Sequence, residues 1–232
     1  MAEDKNKSEA AMKAKGAAAK AAAKARKDAG PGFKVASEEE AGPAPEARLY
    51  KVYNEKIVPA LIQSLGIKNK LALPKLEKIV ISMGLGKAMV AGEKAKMDTA
   101  EKELAIIAGQ KPVRCRAKKS VANFKVREGM ETGLKVTLRG TRMYEFLDRM
   151  ITLAFPRVKD FRGVSNNGFD KQGNYNFGFT EQTVFPEIAG ADVTFQQGMN
   201  VTVVMKGENI KASRELLKQF GFPFKNDEKV KD

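Results

Sequence analysis

The residue types that carry most enzyme chemistry are almost missing from this chain. Its 232 residues include no His and a single Cys, Cys115. Without His there is no Ser–His or Cys–His nucleophile pair and no imidazole acid–base step. One Cys cannot form an internal disulfide, and without His it cannot complete a zinc site of nitrogen and sulfur ligands. Cys115 has no base or resolving Cys to make it reactive, so it reads as a small side chain in a strand. Gly84-x-Gly86 follows a strand-like run, but Met89 stands where a dinucleotide fingerprint needs a third small residue. Gly86-Lys87 resembles the end of a phosphate loop, yet Ala88 replaces its Ser or Thr and Ile81 its first Gly. Gly84 and Gly86 are therefore expected to serve a tight turn that needs glycine backbone angles. No catalytic residue, metal ligand, cofactor or small-molecule substrate is expected.

Charge is the chemistry that remains. Lys and Arg number 42 against 28 Asp and Glu, a net +14 with a pI near 9.7. Residues 1–47 hold nine basic and eight acidic side chains, so +13 of the +14 belongs to residues 48–232. A balance this basic points to a polyanion, nucleic acid first. The densest stretch, residues 114–127, carries Arg114, Arg116, Lys118, Lys119, Lys125 and Arg127, no acid, and Asn123-Phe124 between them. Bases around an exposed aromatic can grip RNA backbone while the ring stacks on a base or sugar. Ser120 and Asn123 favour a turn there, and Gly129 and Gly133 would let the segment hinge. A second cluster, residues 156–163, repeats the mixture with Arg157, Lys159, Phe161 and Arg162.

The elements that must position these residues follow from periodicity. Leu49, Val52, Tyr53, Ile57, Leu61, Ile62 and Leu65 recur at helical spacing, with Pro59 marking a kink or break. Residues 78–83, 113–118, 134–139, 175–179 and 200–205 read as strands; in the third, Leu134, Val136 and Leu138 point inward and Lys135, Thr137 and Arg139 outward. Residues 93–108, 143–154 and 208–220 read as helices, the second stopped before Pro156. There is no regular βαβ spacing and no repeat. The fold class is α+β: a mainly antiparallel sheet with helices on one face and the other face open. Residues 1–47, rich in Ala and Lys, are expected to be a disordered extension, with a basic arm along RNA as the alternative; residues 48–232 form one domain. Without a signal-like N-terminus or an apolar run of roughly 18 residues, the chain is expected to be cytosolic, with no membrane partner. These readings leave open a ribosomal component, a free-standing RNA chaperone or a translational regulator.

Several blocks together narrow that choice. Leu76-Glu77-Lys78-Ile79, Met83-Gly84-Leu85-Gly86, Gly109-Gln110-Lys111-Pro112 and Ala117-Lys118-Lys119-Ser120-Val121-Ala122-Asn123-Phe124-Lys125 occur in order. Gly133-Leu134-Lys135-Val136-Thr137-Leu138-Arg139-Gly140, Phe185-Pro186-Glu187-Ile188 and Gly221-Phe222-Pro223-Phe224 follow. From about residue 48 to 225 the chain resembles the bacterial-type large-subunit ribosomal protein five family. The resemblance implies a non-enzymatic constituent of the central protuberance that binds 5S ribosomal RNA through the open sheet face. It also implies contacts with large-subunit ribosomal RNA, peptidyl-site tRNA, neighbouring large-subunit proteins and a small-subunit head protein. Carried over, the 5S surface comprises Ser82, Gln110, Thr137 and Arg139. The tRNA loop, residues 117–129 with Arg114 and Arg116 at its root, presents Lys118, Lys119, Asn123, Phe124, Lys125 and Arg127. Arg157, Lys159 and Arg162 are expected to touch further RNA. The family usually has Asn at the position of Ser82, and Arg where Gln197 precedes Gly198, so contacts at both places are expected to differ.

Overall fold

The computed structural model describes residues 46–225 except 68, 189–194 and 208; the expected extension, apart from Glu46 and Ala47, lies outside the described residues. Five strands form one sheet: β1 (Lys75–Gly84), β2 (Val113–Arg116), β3 (Glu131–Leu138), β4 (Tyr175–Phe179) and β5 (Met199–Lys206). Their order is β2-β3-β1-β5-β4, and every neighbouring pair is antiparallel. Alternation explains the sheet. Leu76, Ile79, Ile81 and Met83 of β1 are buried, as are Leu134, Val136 and Leu138 of β3 and Met199, Val201, Val203 and Met205 of β5. Ile79, Ile81, Val201 and Val203 have no exposed area, and burying each contributes roughly 1.5–3 kcal/mol. Helices cover that face, and the α+β expectation with one open face holds.

The helices are α1 (Arg48–Val52), α2 (Val58–Leu65), α3 (Gly86–Val90), α4 (Lys94–Ala108), α5 (Gly140–Arg149), α6 (Phe155–Arg157) and α7 (Ile210–Gln219). Pro59 does not break the first of them. A π-helical turn, Tyr53–Ile57, joins α1 to α2, and a second, Met150–Ala154, joins α5 to α6. Each ends two residues before a proline. The amide just ahead of the proline reaches back five residues, Val58 to Tyr53 and Phe155 to Met150. A proline ring lacks the N–H and strikes the carbonyl four residues behind, and a wider turn makes room. The expected stop before Pro156 is corrected on the same ground: the helical course starts at Gly140 and runs through Pro156.

The helices interlock through charge and aromatics. Arg48 in α1 grips Asp148 in α5 through two nitrogens, its Nε donating to Oδ2 at 2.9 Å. Arg149 pairs with Glu187 and donates from Nη2 to the Ile107 carbonyl at 3.0 Å. Tyr53 stacks on Phe220 just beyond α7, with centroids 5.9 Å apart. At the β4 end, Phe155, Tyr175, Phe177, Phe222 and Phe224 form one cluster of rings. Tyr175 is fully buried and donates its hydroxyl to the Ser165 carbonyl at 2.6 Å. Burial pushes its pKa up to about 12.

The glycine turn needs correction too. Gly84 ends β1 and Gly86 opens α3, and neither has a positive φ. The constraint lies across the ladder at Gly133, which pairs with Gly84. A Cβ on Gly133 would stand 2.5 Å from the Met83 carbonyl oxygen. Close strand approach demands glycine there, so Gly133 is locked in β3 and is no hinge.

Candidate nucleic-acid interface

Register places the polar residues of the open face in rows. Lys135 of β3, Ser82 of β1, Asn200 of β5 and Gly178 of β4 lie side by side across four strands. In the next row stand Thr137, Val80, Thr202 and Asn176. Neighbouring strands are about 4.8 Å apart, so each row is a continuous strip of short side chains. Thr202 donates its hydroxyl to Asn176 Oδ1 at 2.7 Å. Lys78 and the opposed pair Lys75 and Lys206 add positive charge on the same strands. Ser82 and Thr137 are thus brought together. Arg139 is exposed one residue past β3, at the start of α5. Gln110 is exposed in the turn after α4, outside both rows. Asn176, Asn200 and Thr202 were missed by sequence reading, although Asn200 and Thr202 alternate legibly with buried Val201 and Val203.

Between β2 and β3 the basic stretch forms a second hairpin. Ala117 and Met130 close its root, with Ala117 N donating to the Met130 carbonyl at 2.9 Å. Gly129, at φ 78°, donates to the Ala117 carbonyl. Val121 and Val126 exchange backbone hydrogen bonds at 2.9 and 3.2 Å, and Ser120 Oγ accepts from the Glu128 amide. Residues 122–125 make the tip, where Lys125 N donates to the Ala122 carbonyl. Phe124 is 73% exposed at this tip. Lys118, Lys119, Asn123, Lys125 and Arg127 are exposed or half-buried around it, and none of these cations pairs with a carboxylate among the described residues.

Arg114 and Arg116 belong to β2 rather than to the loop. Arg116 is exposed, but Arg114 is held by three carboxylates. Its Nε donates to Glu101 Oε2 at 2.7 Å, its Nη2 to Asp98 Oδ1 at 2.7 Å and its Nη1 to Glu131 Oε2 at 3.1 Å. Those bonds, Glu101 first, raise its pKa further. Its charge is spent inside the protein, tying α4 to both strands at the hairpin root, which corrects its grouping with the free cations of the loop.

Arg157, Lys159 and Arg162 lie near the opposite sheet edge, none of them buried. Arg157 and Lys159, with Phe161, Phe177 and Glu181, surround a groove of about 450 Å³ along β4, and Lys159 Nζ lies 4.0 Å from a Glu181 oxygen. The only non-glycine residues with positive φ among the described residues are Lys125 and Asp160, one in each basic segment. A left-handed non-glycine residue costs about 1–2 kcal/mol, and such strain concentrates at functional turns.

Gln197, at one of the two departures from the family pattern, has a visible role. Its Nε2 donates to the Gly84 carbonyl at 3.1 Å, pinning its segment to the end of β1. Fully buried Gln182 fixes the same segment, accepting from the Gln197 amide at 2.5 Å and donating to the Phe195 carbonyl at 2.7 Å.

Among the described residues there is no metal-capable cluster of Cys, Asp and Glu, and no helix long and apolar enough to cross a membrane. Residues 69–127 match the family model described as ribosomal protein L5, and residues 131–224 match the model for the C-terminus of the same ribosomal family. The chain is 52% identical over 177 residues to the large ribosomal subunit protein uL5 of Thermosipho africanus, covering 76% of this chain and 97% of that protein. The uL5 of Acidobacterium capsulatum is 52% identical over 179 residues, covering 77% of this chain and 97% of that protein. That of Geotalea daltonii is 49% identical over 181 residues, covering 78% and 99%. The chain belongs to the ribosomal L5 family: it is an RNA-binding structural constituent of the large subunit of the cytoplasmic ribosome, not an enzyme.

Proposed function

We propose that within the large subunit this chain binds 5S ribosomal RNA through its open sheet face and contacts peptidyl-site tRNA with the 117–130 hairpin. The observation that carries the reading is the two polar rows. Serine, threonine and asparagine at strand spacing offer donors and acceptors to ribose 2′-hydroxyls, and lysines on the same strands meet phosphates. Lys135, Ser82 and Asn200 in one row and Thr137 and Thr202 in the next remain at least partly exposed, while their neighbours along each strand are buried. The hairpin supports the tRNA half: it stands at the end of β2 and β3, carries unpaired cations and exposes Phe124. A site reached by cations at the end of a stalk suits a ligand that arrives and leaves. The segments around Arg157 and Gln197 are the places for large-subunit RNA, neighbouring proteins and a small-subunit head contact.

The test is binding of 5S RNA by the isolated protein. Thr137→Ala and Ser82→Ala each remove a hydrogen bond worth about 1 kcal/mol, roughly fivefold in affinity, with the melting temperature nearly unchanged. Gln110→Ala, outside the rows, is expected to weaken binding less. Full affinity in both row variants would remove the sheet face from 5S RNA recognition.

A further inference from the structure

A second basic surface lies on the helical side of the domain. In α7, Lys211, Arg214 and Lys218 are three and four residues apart, which puts them within about 60° of one another around the helix. The buried residues of α7 (Ala212, Ser213, Leu216 and Leu217) face the core, so the basic stripe faces away from it. The chain then turns at Gly221 and runs back, bringing Phe224 and Lys225 alongside. Between helix and returning segment is a shallow groove of about 520 Å³ lined by Lys211, Arg214, Lys218, Phe224, Lys225 and a single acid, Glu215.

These four cations are left uncompensated. Arg48, Arg114 and Arg149 each hold a carboxylate. Arg214 instead donates to the neutral amide oxygen of Asn166 at 2.8 Å, and Glu215 accepts from Gln219. Lys211, Lys218 and Lys225 have no ion pair among the described residues. Three cations in a row spanning roughly 10 Å of helix, with a fourth across the groove, fit a string of phosphates.

We propose that this groove is a second RNA-backbone site, so that the domain is held between two RNA segments, one on the open sheet face and one on α7. The proposal rests on the RNA-binding reading of the sheet face, and its test separates the two. An iron–EDTA cleavage probe is tethered to Lys218→Cys or to Thr202→Cys, each in a Cys115→Ser background, and the protein is assembled into large subunits. Both probes are expected to cut RNA, at different nucleotides. Cutting from position 202 alone would overturn the proposal and leave the sheet-face reading intact. Cutting from neither would overturn both. Cleavage of a neighbouring protein but not RNA from position 218 would make the groove a protein contact and overturn it as well. Independently, Lys211→Gln, Arg214→Gln and Lys218→Gln combined should lower the log–log salt slope for protein-stripped large-subunit RNA by about 2–3. An unchanged slope from a variant that melts normally would also overturn it.

Discussion

Arg114 and Arg127 come from one uninterrupted basic run, yet they do opposite things. Arg114, at the root of the hairpin, is enclosed by Asp98, Glu101 and Glu131 and joins a helix to two strands. Arg127, toward the tip, has no carboxylate partner among the described residues. The same contrast recurs across the molecule: Arg48 and Arg149 lock helices together, whereas Lys118, Lys119, Lys211 and Lys218 are left open to solvent. Net charge therefore overstates what is available to RNA at some positions and hides its concentration at others. A paired cation organises the scaffold, and an unpaired one is offered to a polyanion whose binding releases counterions.

The strongest test of this contrast is Arg114→Met. It leaves three carboxylates facing one another and should lower stability by about 1–2 kcal/mol, read from urea denaturation. A variant as stable as the parent would mean that root and tip are alike after all. Replacing Lys118, Lys119 and Arg127 together by Ser sharpens the other side. Stability should change by less than about 0.5 kcal/mol, while peptidyl-site tRNA leaves mutant ribosomes roughly tenfold faster. The 5S RNA affinity should stay within about twofold of the parent, since these residues lie outside the polar rows. Loss of 5S binding with unaltered tRNA release would move the hairpin onto 5S RNA.

The smallest effect concerns Glu103, a buried acid whose pKa is raised by burial, the hydrogen bond from Gln182 opposing the shift. The folded state binds this proton more tightly than the unfolded chain does. Its contribution is thus present at low pH and is lost as pH climbs from the ordinary carboxylate range through the raised folded value. Glu103→Gln keeps the shape without the charge. It should raise the melting temperature at pH 7 by a few degrees or less and change little near pH 4. An equal shift at both pH values would show that ionisation is not the cause.

Where one periodicity governs a segment, the sequence is legible. The alternation of Leu134, Val136 and Leu138 against Lys135 and Thr137 stands as read, and so does the helix that ends at Gly109. Readings fail where a distant neighbour decides the outcome. Gly133 is glycine because of the Met83 carbonyl on another strand. Pro59 and Pro156 look like stops, since a π turn that accommodates a proline leaves no mark in composition. Arg114 looks like its neighbours because its carboxylates come from α4 and from beyond the loop. The basic face of α7 is different: Lys211, Arg214 and Lys218 have plain helical spacing, but denser charge runs elsewhere in the chain overshadow them.

The order of the strands also governs how the chain comes into being. β1 ends at residue 84, yet one of its two partners, β5, begins at residue 199, and β4 has only β5 to pair with. Phe222 and Phe224 complete the ring cluster, and Val164 bridges to Phe224 in parallel. A nascent chain halted before residue 199 can pair β1 with β3 but leaves the other edge of β1 open and β4 without a neighbour, and such edges invite association with other chains. Contacts of this sequence separation close slowly. The domain completes itself only after nearly all of its residues have been synthesised, so a shortened product is unfinished at the centre of its sheet, not merely trimmed at one end.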